Sequence, residues 1–198
     1  MAAVVVNITI PHTPYPIYHN PYTIQHTPHT ADHFNQGTLP IEFPTGSKVA
    51  VSSDGSEATG DSYTYPIRGK LMCEDGKHEW RVMVAGSNRV CIGVVRSNAD
   101  TNTGWRNNPG CWGIFLCNRD MFFAGQYQRR SEGPDSFKLP CEVAIILDCD
   151  TGTLSVGVEG QMPVTVVCTS LPKHEELQFG CATCHRACSV EMLSYKRN

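Results

Sequence analysis

No run of apolar residues in this chain approaches the ~20 needed to cross a bilayer. An excess of one charge is missing too: Lys and Arg number 16 against 19 Asp and Glu, a formal net charge of -3. That balance excludes the basic footprint of a nucleic-acid binder or of a domain held to anionic lipid. Apolar segments with helical period and useful length are absent, which argues against α and α/β folds. The apolar start, Met1 to Ile10, is short and has no basic residue ahead of it, so it does not read as a secretory signal. Cysteine, by contrast, is plentiful, at 10 residues. Without an export signal, a cytoplasmic chain with reduced thiols packed as small apolar groups is expected. The Asn7-Ile8-Thr9 sequon is then silent.

With 198 residues the chain suits one domain, and its composition changes near residue 40. Residues 1–40 hold Pro11, Pro14, Pro16, Pro21, Pro28 and Pro40 with His12, His19, His26, His29 and His33. Prolines this dense preclude a helix and favour extended chain, so an N-terminal Pro/His-rich arm is expected there. Its imidazoles lack thiol or carboxylate partners at metal-binding spacing.

Residues 41–198 read as β throughout. In Val143–Val158 an unbroken apolar run meets the turn Asp148-Cys149-Asp150-Thr151-Gly152. A second run follows in which Leu154, Val156 and Val158 alternate with Ser155 and Gly157. The pattern predicts a hairpin: one strand buried on both faces, and a partner with one face on a core. Further strands are expected over Lys48–Ser52, His78–Val84, Arg89–Val95, Cys111–Leu116, Met121–Ala124, Val164–Val167, Leu177–Ala182 and Ser189–Tyr195, with polar turns between them. Many short strands without helices predict an all-β, antiparallel sandwich. Two longer connections, Ser97–Gly110 and Tyr127–Pro140, are where such a frame would carry its function.

In order and spacing the segments of this region resemble the SPRY domain family. The matches are Val49-Ala50-Val51-Ser52, Arg68-Gly69-Lys70, Gly76-Lys77-His78-Glu79-Trp80, Ile92-Gly93-Val94, Cys111-Trp112-Gly113-Ile114, and Leu147-Asp148 with Asp150, Gly152, Thr153, Leu154 and Ser155. Within that family the pattern is most similar to the SPRY domains of adaptors that carry a SOCS box, although such a box is not expected here. The resemblance implies a bent, concanavalin-like jelly-roll sandwich without catalysis or cofactor, which recognises a short peptide or loop of a partner protein. It also implies a pocket made of three loops at one end of the sheets, carried over to Gly60, Asp61 and Ser62, to Trp105, and to Cys184 and His185. The adaptors have Trp where His185 stands.

Trp80 and Trp112 lie in apolar strands and read as core. Trp105 sits in a polar loop and reads either as an exposed ligand contact or as the pin of that loop. Beside it, Asn107 and Asn108 offer amides to a partner backbone, and Arg106 or Arg186 would favour an acidic ligand residue. A lectin-like, glycan-binding sandwich is the alternative, with the indole stacked on sugar. The chain is expected to be a monomer without nucleic-acid or membrane partners. Cys181, Cys184, His185 and Cys188 suffice in number for zinc, but adjacent positions in a β region point apart. A nucleophile at Cys184 or Cys111 lacks an orienting third group, and Asp148, Asp150 and Glu159 are too few for calcium.

Overall fold

The computed structural model describes residues 49–51, 57–60, 66–129, 136–183 and 188–198. Thirteen strands run in chain order. They are β1 (Val49–Val51), β2 (Glu57–Gly60), β3 (Ile67–Cys73), β4 (Lys77–Ala85), β5 (Val90–Arg96), β6 (Cys111–Phe115) and β7 (Met121–Phe123), then β8 (Gln126–Gln128), β9 (Cys141–Asp148), β10 (Thr153–Val158), β11 (Met162–Cys168), β12 (Leu177–Thr183) and β13 (Ser189–Arg197). A 3-10 turn at Trp105–Asn107 is the sole helical element among them. No helix of the described residues is long and apolar enough to cross a membrane. The expected arm, residues 1–40, lies outside the described residues.

Every strand pairing is antiparallel. One sheet has seven strands in the order β1-β2-β13-β4-β9-β10-β11, and the other has six in the order β3-β12-β5-β6-β7-β8. Their facing sides enclose one core, built from Trp80, Val82 and Val84 of β4, Ile92 and Val94 of β5, Trp112 and Ile114 of β6, and Val143, Ile145 and Leu147 of β9. The sandwich is therefore as expected, and Trp80 and Trp112 are core residues.

The β9–β10 hairpin forms with Asp148 opposite Thr153 and Val143 opposite Val158. One detail differs from expectation. Along β9 the buried residues Cys141, Val143, Ile145 and Leu147 alternate with half-buried Glu142, Ala144, Ile146 and Asp148. Only one side of this sheet meets the other sheet, so its opposite side is partly open and β9 is not enclosed on both faces. The turn closes because Thr151 N–H donates to Asp148 Oδ1 at 2.8 Å and Gly152 takes φ +68, a left-handed conformation that favours glycine.

The motif residues turn out to serve the frame. Gly76 takes φ +71 at the β3–β4 turn. His78, buried beside Trp80, donates from Nε2 to the Asp75 carbonyl at 2.8 Å. Nδ1 of the neutral ring can then accept from the Tyr195 hydroxyl at 2.8 Å. Arg68 donates to the Ser97 carbonyl, tying β3 to the start of the 97–110 connection.

Candidate interaction site

The 97–110 connection starts and ends side by side, since Arg96 N–H donates to the Gly110 carbonyl at 2.8 Å. Inside it Asp100 organises the first bend. Its carboxylate accepts from Asn102 N–H at 2.8 Å and from the Thr103 hydroxyl at 2.7 Å. These bonds, the Thr103 one foremost, hold the Asp100 carboxyl below its usual range. Asn108 staples the second half. Its amide Nδ2 donates to the carbonyls of Asp100 at 2.7 Å and Thr103 at 3.3 Å, and its Oδ1 accepts from Gly110 N–H at 2.9 Å. Asn108 is 1% exposed. The expectation that it offers an amide to a partner is corrected, because the side chain is buried and both ends of its amide are bonded inside the loop.

Trp105 requires the larger correction. Its exposure is 0%, so it cannot be the ligand-facing aromatic and is instead the pin of the loop. The reason lies in the sheet beneath it. Gly180 pairs with Gly93, and Gly93 pairs with Gly113. Three cross-strand glycines leave a trough without side chains on the side of the six-stranded sheet that faces away from the main core. The loop folds back over that side. A Cβ at Gly180 would lie 3.1 Å from the Trp105 ring. Cys91, Val95, Cys111, Phe122 and Ala182 complete a second apolar cluster around the indole.

Beside the buried Trp105, the loop leaves Arg106 and Asn107 exposed. The Arg106 guanidinium lies over the Tyr127 ring at 4.7 Å from its centroid, within range of a favourable cation–π contact. Tyr127 is 42% exposed, and its hydroxyl donates to Asp120 Oδ2 at 2.7 Å, which fixes the ring. That bond, first among several causes, raises the Tyr127 hydroxyl above its usual range. Beneath Tyr127 sits Phe122, with ring centroids 5.7 Å apart. The β7–β8 turn also backs onto the loop, where a Cβ at Gly125 would stand 3.2 Å from the Asn107 carbonyl. Arg106, Asn107 and Tyr127 thus form a braced shelf. Tyr127 was not among the sequence candidates. Its signal was a lone aromatic between Gln126 and Gln128 just after the Ala124-Gly125 turn.

The other candidates divide. Gly60 ends β2 and pairs with Val49. Asp61, Ser62, Cys184, His185 and Arg186 lie outside the described residues. The strands that flank those two loops meet at one end, where Thr59 pairs with Ser189 and Cys181 with Ile67. The 97–110 connection leaves β5 from the opposite end, where Arg96 pairs with Leu177 rather than at the Val90–Thr183 end. The expected grouping of three loops at one end is corrected accordingly: the 97–110 loop lies along a sheet side.

Cysteine chemistry is disfavoured where it can be judged. Burial pushes the Cys111 thiol up to about 12 and the Cys181 thiol well above its usual range, so neither supplies a thiolate at neutral pH. Cys181 and Cys188 belong to the main core, and Cys188 Sγ faces the Arg89 carbonyl at 3.7 Å. Two of the four zinc candidates therefore line an apolar interior. Among the described residues no three His, Cys, Asp or Glu are grouped to hold a metal ion.

The family model described as "SPRY domain" matches residues 77–197, and the chain belongs to that family. SPRY domains are in general protein–protein interaction modules rather than enzymes. Among solved structures it is similar to the SPRY domain of human HERC1, at 18% identity and TM-score 0.60, with 74% of this chain and 92% of that chain covered. The TRIM65 PSpry domain is similar at 14% identity and TM-score 0.61, covering 79% of this chain and 93% of that one. Stonustoxin is similar at 17% identity and TM-score 0.60, covering 78% of this chain and 27% of that one. At these identities the likeness is one of fold alone.

Proposed function

We propose that this SPRY domain is a non-catalytic recognition module that binds a short peptide or loop of a partner protein. The observation that carries the reading is the braced shelf: Arg106 and Asn107 stand outward on a loop locked by Trp105 and Asn108, and Arg106 lies over Tyr127 of the neighbouring β8. A site whose side chains are fixed beforehand loses little ordering entropy on binding, so a few anchors can suffice. The kinship to SOCS-box adaptors, carried by Arg68-Gly69-Lys70 and Gly76-Lys77-His78-Glu79-Trp80, would make the domain the recognition part of an adaptor. Gly60, Asp61, Ser62, Cys184, His185 and Arg186 belong to the pocket that kinship implies. The glycan reading relied on an exposed tryptophan, and with Trp105 enclosed it loses its stacking surface.

The test is a displayed random-peptide library panned on the whole chain, with the double variant Arg106→Ala, Asn107→Ala as counter-selection. Enriched peptides should bind the variant at least roughly tenfold more weakly, as expected for loss of a charged anchor, with an unchanged Tm. A library that yields no enriched sequence, or sequences blind to the double change, would reject the reading.

A further inference from the structure

The six-stranded sheet ends in β8, and no described strand lies beyond it. All three residues of β8 are exposed. The turn that delivers it is tight: Ala124 and Gly125 take φ 50 and 78, a two-residue hairpin with both central residues left-handed. Phe123 faces Gln126, Phe122 faces Tyr127 and Met121 faces Gln128. In such a hairpin the residues flanking the turn form a hydrogen-bonded pair and the next two do not. Gln126 and Gln128 therefore bond inward to β7, and the N–H and C=O of Tyr127 point out of the sheet. Arg129 follows two residues on, just past the end of β8.

The described charged side chains exposed at this edge, Arg106 and Arg129, are both cationic. Arg106 lies over the Tyr127 ring, and Arg129 is exposed. Both arginines stand close enough to the Tyr127 hydroxyl to perturb it electrostatically. Neither has a carboxylate partner among the described residues. The nearby carboxylate, Asp120, is 3% exposed and is occupied by the Tyr127 hydroxyl and the Asn118 amide. An aromatic ring with a cation on it thus borders a backbone edge that no described strand covers. Short, polar edge strands resist indiscriminate pairing, so an added strand would need its own complement to this charge.

We propose that β8 is a docking edge for an extended acidic segment of a partner protein, which adds as a strand against Tyr127 and Arg129 and sets carboxylates on Arg106 and Arg129. This rests on the domain being a protein-recognition module and names the partner chemistry of the same shelf. The backbone supplies pairing, and the two guanidiniums select against neutral or basic strands.

The test uses a blocked, fluorescent heptapeptide, Glu-Val-Glu-Val-Glu-Val-Glu, titrated into the full chain by anisotropy, beside Gln-for-Glu and Lys-for-Glu analogues. The Glu peptide should bind, and the Gln analogue should bind at least roughly tenfold more weakly, as should the Glu peptide to Arg106→Ala or Arg129→Ala. N-methylation at alternate peptide residues should abolish binding in one phase and spare it in the other, because only one set of N–H groups faces β8. Equal binding of the Glu and Gln peptides, indifference to the phase of N-methylation, or no binding of the Glu peptide overturns the edge proposal. If library-selected peptides remain sensitive to the Arg106, Asn107 change in that case, the edge fails alone. If they too are insensitive, the recognition reading falls with it.

Discussion

Trp105 marks the boundary of residue-by-residue reading. In sequence it stands among Asn, Thr, Gly and Arg, with no local apolar residue to bury against. Its partners come from β5, β6, β7 and β12, and its ring reaches the sheet at Gly180, which aligns with Gly93 and Gly113 across three strands. Glycine inside a strand weakens it unless another group approaches closely, so mid-strand glycines were the available clue. Trp105→Ala should leave a large cavity and cost about 3–5 kcal/mol. For a domain of this size that amounts to a Tm lower by roughly 6–20 °C. Thermal unfolding of the variant checks this, and an unchanged Tm would mean that the indole is not a structural pin. The exposed Arg106→Ala change should leave Tm within about 2 °C, since it removes only a surface contact.

At the scale of elements, legibility followed apolar alternation. The strands β4, β5, β6, β9, β10, β12 and β13 carry strong alternating or continuous apolar patterns and lie close to where they were expected. Three strands were not anticipated: β2 is Glu-Ala-Thr-Gly, β3 opens Ile-Arg-Gly-Lys, and β8 is Gln-Tyr-Gln. Each is short or polar, and its strand state is imposed by a neighbour's hydrogen bonds rather than by its own periodicity. The turn in β9–β10 shows the opposite case, in which local chemistry suffices. The backbone bond from Thr151 holds the Asp148 carboxyl below its usual 3.8, partly opposed by burial. A carboxylate with a depressed folded pKa stabilises the fold above the unfolded value, and that contribution fades as pH falls through the folded one. Tm measured from pH 7 down to about 3 should therefore fall less steeply below about pH 4 for Asp148→Asn than for wild type. Identical slopes would remove Asp148 from that role.

Over the whole molecule, the described cysteines behave as core filling. Cys73, Cys91, Cys111, Cys141, Cys149, Cys168, Cys181 and Cys188 are buried, and Cys117 is half-buried. Burial raises the thiols of Cys73 to about 12 and of Cys149 to about 11, which suppresses the reactive thiolate. A brief iodoacetamide pulse on native protein should label Cys117 ahead of the other eight, which should label freely in denaturant. Peptide mapping by mass spectrometry reads the outcome. Fast native labelling of Cys111 or Cys181 would contradict the packing described.

The chain's own letters determined that it would be a layered β structure, because side-chain alternation and turn chemistry act between neighbours a few residues apart. The SPRY pattern was readable for the same reason: its motif residues close turns and fill strands. Which side chains reach the surface was decided only by the assembled sheets. The 97–110 loop folds across a side of the sheet, not outward at an end, and this encloses an indole that looked free. It also leaves Arg106 over Tyr127, two residues that lie 21 positions apart and meet because the β7–β8 hairpin backs onto that loop. Exposure is a property of what covers a residue, and the covering groups here come from distant parts of the chain.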